Sequence, residues 1–212
     1  MPDREEFYLA QPSGTARAGV LVAHDWYGLL PHVRTACDEL AKAGLVALAP
    51  DFYDGRSTTD PEQAEALMKA MEAAKAQARL DAATADLRER TGGGPVGGLG
   101  FSMGGFHTLI HATTGAYDAV AVYYAALEAE QAAGIHCPVL LHMAEEDEFD
   151  PREAYEGFVA ALEANGTEVH SYTWLGTEHS FANGDVALYA PTPAAEAWSI
   201  TVPFLRDHLG SP

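Results

Sequence analysis

The sequence predicts an α/β fold of three layers, a mostly parallel central sheet with helices on both faces. Three observations predict it. Short apolar runs alternate along the chain with longer segments patterned as helices. All but one of the runs are apolar throughout, not at every second residue, as in strands buried on both faces. Helix-length segments separate most of the runs, as right-handed crossovers between parallel strands require.

The elements read in order as follows. GVLVAH (19–24) is the first buried strand. PHVRTACDELAKAG (31–44) sets Val33, Cys37, Leu40 and Ala41 on one helical face and stops at Gly44, a suitable C-cap. LVALAP (45–50) is a strand ended by Pro50. Residues 60–92 open on an Asp-Pro cap, close at Gly92 and are long enough for two helices. Their alanine-rich part is strong helix former. VGGLGF (96–101) is a strand and MGGFHTLIHATTG (103–115) a helix directly after it. AVAVYY (119–124) and PVLLHM (138–143) are strands joined by AALEAEQAAGIHC, which has room for one short helix and none for a lid domain. PREAYEGFVAALEANG (151–166) and PAAEAWSITVPFLRDHLG (193–210) are helices. EVHSYTW (168–174), between them, alternates and therefore lies nearer an edge. We read residues 1–212 as a single domain without repeats or linkers.

Composition narrows the function. The chain has 31 acidic and 12 basic residues, a net charge of -19. Such a surface repels nucleic acid and anionic lipid, so neither is expected as a partner. Cys37 and Cys137 form no disulfide framework and have no metal-ligand spacing. MPDREEFYLAQPSG is charged and lacks an apolar stretch, so it does not read as a signal peptide, and no run has the length of a membrane span. The expectation is a cytoplasmic protein, a monomer or small homo-oligomer.

Chemistry concentrates at LGFSMGG. Gly100-Phe101-Ser102-Met103-Gly104 fits the G-x-S-x-G nucleophile elbow, in which a serine stands on a strained turn between strand and helix. The residues two before and two after crowd one another, hence the glycines. Ser102 then lies at a helix N-terminus, which favours negative charge. A serine needs a base, and the base an orienting acid, in the chain order Ser, Asp or Glu, His. After Ser102, PVLLHM runs into the carboxylate cluster Glu145, Glu146, Asp147, Glu148 and Asp150, at the C-terminal end of a strand where α/β sites form. Asp147 is our choice of acid, with the other four as competitors. EVHSYTW leads to His179, our choice of base. His107 and His111 lie four apart on a helix but lack the Glu of a zincin, and read as partly packed surface residues. His24 ends a strand and could line the site. His142 lies within a strand, and His136 and His208 have no obvious reach.

These motifs resemble the dienelactone hydrolases, small α/β-hydrolases also called carboxymethylenebutenolidases. The resemblance runs from about residue 18 to 209. It rests on HDWYGLLPHVRTACDELAKAGLVALAPDFYDG, GFSMGG, VYYAALE, HMAEEDEFDP and GTEHSFAN. It implies the α/β-hydrolase fold and the triad Ser102, Asp147 and His179. The best-known members carry cysteine where Ser102 stands, so His179 must here act as a true general base. Asp25 matches a family glutamate near the thiol. It would touch Ser102, position its loop, or have no role. A substrate-clamping arginine of the family falls on Asn183, and for a second one Arg56 is the nearest candidate. Without those forks a dicarboxylate lactone has no evident anchor, and the net charge disfavours an anionic substrate.

The function expected is serine hydrolysis of small carboxylic esters or lactones through an acyl-enzyme. The oxyanion would sit on the N–H groups of Met103 and Trp26. No metal or organic cofactor is required. Trp26, Phe101, Phe149 and Phe181 fall near strand ends, as do Tyr27 and Tyr124, which with Asp25 are the candidate substrate contacts. A thioesterase or amidase with the same triad, or a non-catalytic binding protein on this scaffold, are the alternatives. A phosphate-cradling nucleotide fold would need a lysine or G-x-G-x-x-G at the turn, and LGFSMGG has neither.

Overall fold

The computed structural model describes residues 7–210. Residues 1–6, part of the segment read as too polar for a signal peptide, lie outside it. Seven strands are β1 (Phe7–Ala10), β2 (Gly19–Ala23), β3 (Val46–Pro50), β4 (Val96–Phe101), β5 (Ala119–Tyr123), β6 (Val139–Glu146) and β7 (Val169–Glu178). They form one sheet in the order β1-β3-β2-β4-β5-β6-β7. All pairings are parallel except β1 with β3. The helices are α1 (Pro31–Lys42), α2 (Pro61–Ala70), α3 (Ala73–Arg90), α4 (Met103–Ala112), α5 (Arg152–Ala164) and α6 (Pro191–His208), with a 3-10 segment at Ala129–Gly134.

The three layers follow from the side-chain alternation of buried strands. Leu21, Leu48, Val120, Val122 and Leu141 point to one face, where Leu80 and Leu87 of α3, Leu109 of α4 and Phe158 of α5 cover them. Val20, Val22, Leu99, Ala121 and Leu140 point to the other, under Val33, Cys37 and Leu40 of α1 and Phe204 and Leu205 of α6. Each face is apolar, which is why the strands read as continuous runs.

The structure departs from the sequence reading in three places, and it divides the 60–92 stretch into two helices as its length allowed. β1 was not foreseen: FYLA is four residues long and joins the sheet only by antiparallel pairing with β3. The long helical stretch breaks into α2 and α3 at Met71, whose backbone is extended (ψ 133°). β6 and β7 run on to Glu146 and Glu178, three and four residues past the apolar pattern, with an irregularity between Ala144 and Glu146. In β6 the strand continues past Ala144, its last buried residue, whereas β7 is exposed over most of its length and buries Thr177 near its end. Finally, His107 and His111 are buried, not surface residues. His111 contacts the Tyr117 hydroxyl (2.8 Å) and Asp81 (2.9 Å), and Gln77 lies 3.2 Å from the His107 ring. No helix among the described residues is long and apolar enough to cross a membrane.

Candidate active site

Ser102 follows the last residue of β4 and precedes the first of α4. Its backbone is strained, with φ 50° and ψ -120°, a conformation non-glycine residues rarely hold. The Ser102 N–H donates to Tyr123 O at 2.9 Å and its carbonyl accepts the Phe106 N–H at 2.9 Å, so both neighbours anchor the turn. The flanking glycines are required, though not for mutual crowding alone. A Cβ on Gly100 would lie 2.6 Å from Gly104 O, but one on Gly104 would lie 2.3 Å from His24 O and 2.4 Å from Ala23 O. Gly104 lets α4 rest directly on β2.

Ser102 Oγ is 2.7 Å from His179 Nε2. His179 Nδ1 is 2.8 Å from Asp147 Oδ2 and 2.9 Å from Oδ1. Asp147 is the first residue after β6, and its Oδ1 also accepts the N–H groups of Phe149 (3.0 Å) and Asp150 (3.1 Å). Those bonds fix the carboxylate. An ionised Asp147 accepts only, so Nδ1 carries the imidazole proton and Nε2 is free to accept from Ser102. His179 is the first residue after β7, followed by Ser180 with positive φ. The ends of β4, β6 and β7 thus bring together three residues from distant parts of the chain.

Met103 is the first residue of α4, so its N–H has no acceptor within the helix. In the turn after β2, Asp25 Oδ1 accepts the Tyr27 N–H (2.9 Å) and Asp25 O the Gly28 N–H (3.3 Å), leaving the Trp26 N–H outside these bonds.

Beside Ser102 and His179 opens a cavity of about 500 Å³. Trp26, Met103 and Phe149 line it, together with Met68 and Met71 at the α2–α3 break, Phe106 of α4, and the carboxyl groups of Glu128 and Asp150. Burial, chiefly, and the neighbouring Asp147 raise the Asp150 carboxyl to about 6. The Trp26 and Phe149 rings meet edge-on at 5.7 Å, and Phe149 lies 4.7 Å from the His179 ring.

The other expected contacts lie elsewhere. Asp25, Tyr27 and Tyr124 are buried and are not among the residues lining this cavity. The Tyr124 ring packs 4.9 Å from His179 as a wall behind that imidazole, and burial holds its phenol well above the usual range. Asp25 Oδ2 accepts from Asn183 Nδ2 at 2.8 Å, and His32 Nε2 lies 3.5 Å away. Asn183 therefore ties the loop after β2 to the loop after β7, rather than facing the cavity. Arg56 donates to Tyr53 O at 3.0 Å and does not line the cavity either. Phe101 and Phe181 pack in the core under α1 and α6. His24 is buried with lowered basicity, and its Nε2 accepts the Phe52 N–H at 3.0 Å. Met68 and Met71 had no signal in the sequence beyond the length of the 60–92 stretch.

Donor atoms of Asp147, Asp150 and His179 lie within 4.8 Å of one another, as do those of Glu168, His170 and His208. A metal at the first group would have to displace the proton that joins His179 to Asp147. The second lies on the surface away from Ser102.

Residues 6–209 match the model of the Dienelactone hydrolase family. The chain belongs to this family. It is 32% identical over 217 residues to Protein usf of Aquifex pyrophilus, covering 95% of this chain and 93% of that protein. It is 27% identical to a carboxymethylenebutenolidase of Pseudomonas putida, over 93% of this chain and 89% of the other. Among solved structures it resembles a dienelactone hydrolase-like promiscuous phosphotriesterase from metagenomic libraries, with a TM-score of 0.82 at 20% identity, covering 97% of this chain and 100% of that one. That last likeness is one of fold. The single, mostly parallel sheet with its elbow after β4 is the α/β-hydrolase arrangement of this dienelactone hydrolase family member.

Proposed function

We propose that this family member is a serine hydrolase that cleaves small carboxylic esters or lactones through an acyl-enzyme on Ser102. The observation that carries this is the unbroken relay from Ser102 Oγ to His179 (2.7 Å) to Asp147 (2.8 Å). Ser102 Oγ attacks the carbonyl carbon and His179 Nε2 takes its proton. Asp147 holds the Nδ1 proton and stabilises the imidazolium that forms. The N–H groups of Met103 and Trp26 receive the oxyanion, where charge develops, at the positive end of α4. The tetrahedral adduct expels the alcohol, which takes the proton from His179. Water then attacks the acyl-enzyme with His179 again as base, and the acid leaves Ser102. A lactone follows the same steps, its alcohol remaining tethered to the acyl group. The carboxymethylenebutenolidases among its relatives support an ester or lactone as the bond cleaved.

The test is covalent labelling with a fluorophosphonate, read as intact mass. The expected result is one adduct on the unaltered protein, none on Ser102→Ala and a rate at least about a hundredfold lower on His179→Ala, the scale of a lost general base. Absence of an adduct on the natively folded protein would overturn the serine-hydrolase reading.

A further inference from the structure

The cavity beside Ser102 has a chemistry that goes further than ester hydrolysis. Its floor and walls are soft and aromatic: the rings of Trp26, Phe106 and Phe149 and the thioethers of Met68 and Met71. Its acidic residues are Glu128 at the rim, whose carboxylate also caps the 3-10 segment by accepting the Gln131 N–H, and Asp150 next to the reacting centre, and no lysine or arginine lines it. The cations on the bordering helices are held elsewhere. Lys69 pairs with Glu65 at 2.7 Å, Arg152 with Glu156 at 2.7 Å, and Lys75 and Arg79 both with Asp54. Asp150 is partly desolvated, and its charge is steadied by the Ala126 N–H that its carboxylate accepts and by the nearby His179 ring, not by a lysine or arginine. Aromatic faces and a desolvated carboxylate together are the features that bind organic ammonium groups.

We propose that this cavity selects esters carrying an alkylammonium group, and that Asp150 is the residue that selects them over neutral and anionic analogues. The proposal rests on the hydrolase reading of Ser102 for its kinetic arm and on cavity chemistry alone for its binding arm. An ammonium group placed between Phe149 and Asp150 exchanges water for one ring face and one carboxylate. A carboxylate-bearing ester would meet Asp150 and Glu128 with nothing to balance it.

Three matched phenyl esters of equal size, bearing a trimethylammonium, a tert-butyl or a carboxylate group on the acyl chain, supply the kinetic test. At pH 8 kcat/KM for the cationic ester should exceed that for the neutral one by about tenfold, the scale of one charge pair at 6–7 Å in a half-shielded site. Asp150→Asn should bring that ratio close to one and raise the anionic ester relative to the neutral. Glu128→Gln, at the rim, should lower the ratio less. Because Asp150 is raised to about 6, the ratio should also shrink at pH 5, where much of it is protonated. The groups facing Asp150 are Asp147, His179, Glu128 and, across the cavity, His107, whose basicity burial lowers.

Binding is measured separately by quenching of tryptophan fluorescence with benzyltrimethylammonium and with benzoate. Saturable quenching by the cation that weakens in Asp150→Asn supports the proposal, even if no ester is cleaved. Equal kcat/KM for cationic and neutral esters, a preference for the anion, a ratio unmoved by Asp150→Asn, or quenching by benzoate equal to that by the cation would each overturn it. Turnover of the neutral ester together with any of those results leaves the hydrolase reading standing and removes only the cation selectivity. Should Asp150→Asn not fold, the three esters and two ligands on the unaltered protein decide the question.

Discussion

Asp25 and Asn183 stand 158 residues apart and share one hydrogen bond of 2.8 Å. Both are fully buried. Asp25 also holds the turn that carries Trp26, and Asn183 lies four residues past His179, so the bond locks the loop after β2 to the loop after β7. Asn183→Leu, with the same number of side-chain heavy atoms, would leave Asp25 Oδ2 without its amide donor and the Asp185 N–H without its acceptor. We expect a loss of about 2 kcal/mol in urea unfolding, the cost of an unpaired buried acceptor. On the proposed mechanism, in which the Trp26 N–H receives the oxyanion and not the bound ester, we also expect a fall of roughly tenfold in kcat with little change in KM. The sequence placed Asp25 beside the site and Asn183 where an arginine was sought. It could not show that the two meet, because their contact depends on the packing of β2 and β7 loops. Ser102, Asp147 and His179 were legible because their motifs sit at predicted strand ends in the order this fold requires.

The elbow is the element on which the geometry depends, and its glycines can be tested against a control. Gly104→Ala would drive a methyl group into the carbonyls of Ala23, the last residue of β2, and of His24 after it, and push α4 off the sheet. The expected loss is more than about 3 kcal/mol, the upper range for overpacking, with fluorophosphonate labelling falling as Ser102 moves. Gly157→Ala in α5 meets nothing within 4 Å and has no positive φ, so it should stabilise the protein by roughly 0.5–1 kcal/mol through helix propensity. Both values come from the same chemical denaturation series. A similar small effect at both sites would mean that the backbone at Ala23 and His24 leaves room for a methyl group on residue 104. At this scale most elements were legible: β4 keeps the same bounds in sequence and structure. β1 was not, since four half-buried residues carry too little pattern, and only the edge of β3 makes them a strand.

Over the whole molecule the net charge of -19 is the dominant electrostatic fact. Many ion pairs are exposed, such as Lys42–Glu39 and Arg152–Glu156, and such pairs stabilise little. Repulsion among the unpaired carboxylates should outweigh them. Raising NaCl from 20 mM to about 0.5 M shortens the screening length several-fold and should raise Tm by a few degrees. A fall in Tm by calorimetry would mean that the surface ion pairs dominate instead. By itself the sequence determined the layers, the succession of strands and helices, the elbow and the order of its partners. All of these depend on local pattern: apolar runs, caps, glycines and the residues that follow a strand. Only the tertiary structure decided what meets what across the strand ends. It put Met68 and Met71 into the cavity, withdrew Tyr27 and Tyr124 from it, turned Asn183 toward Asp25 and left Asp150 facing the aromatic wall. Those juxtapositions follow from how loops pack once the sheet has formed, and no local pattern encodes the distance between residues that chain connectivity leaves far apart.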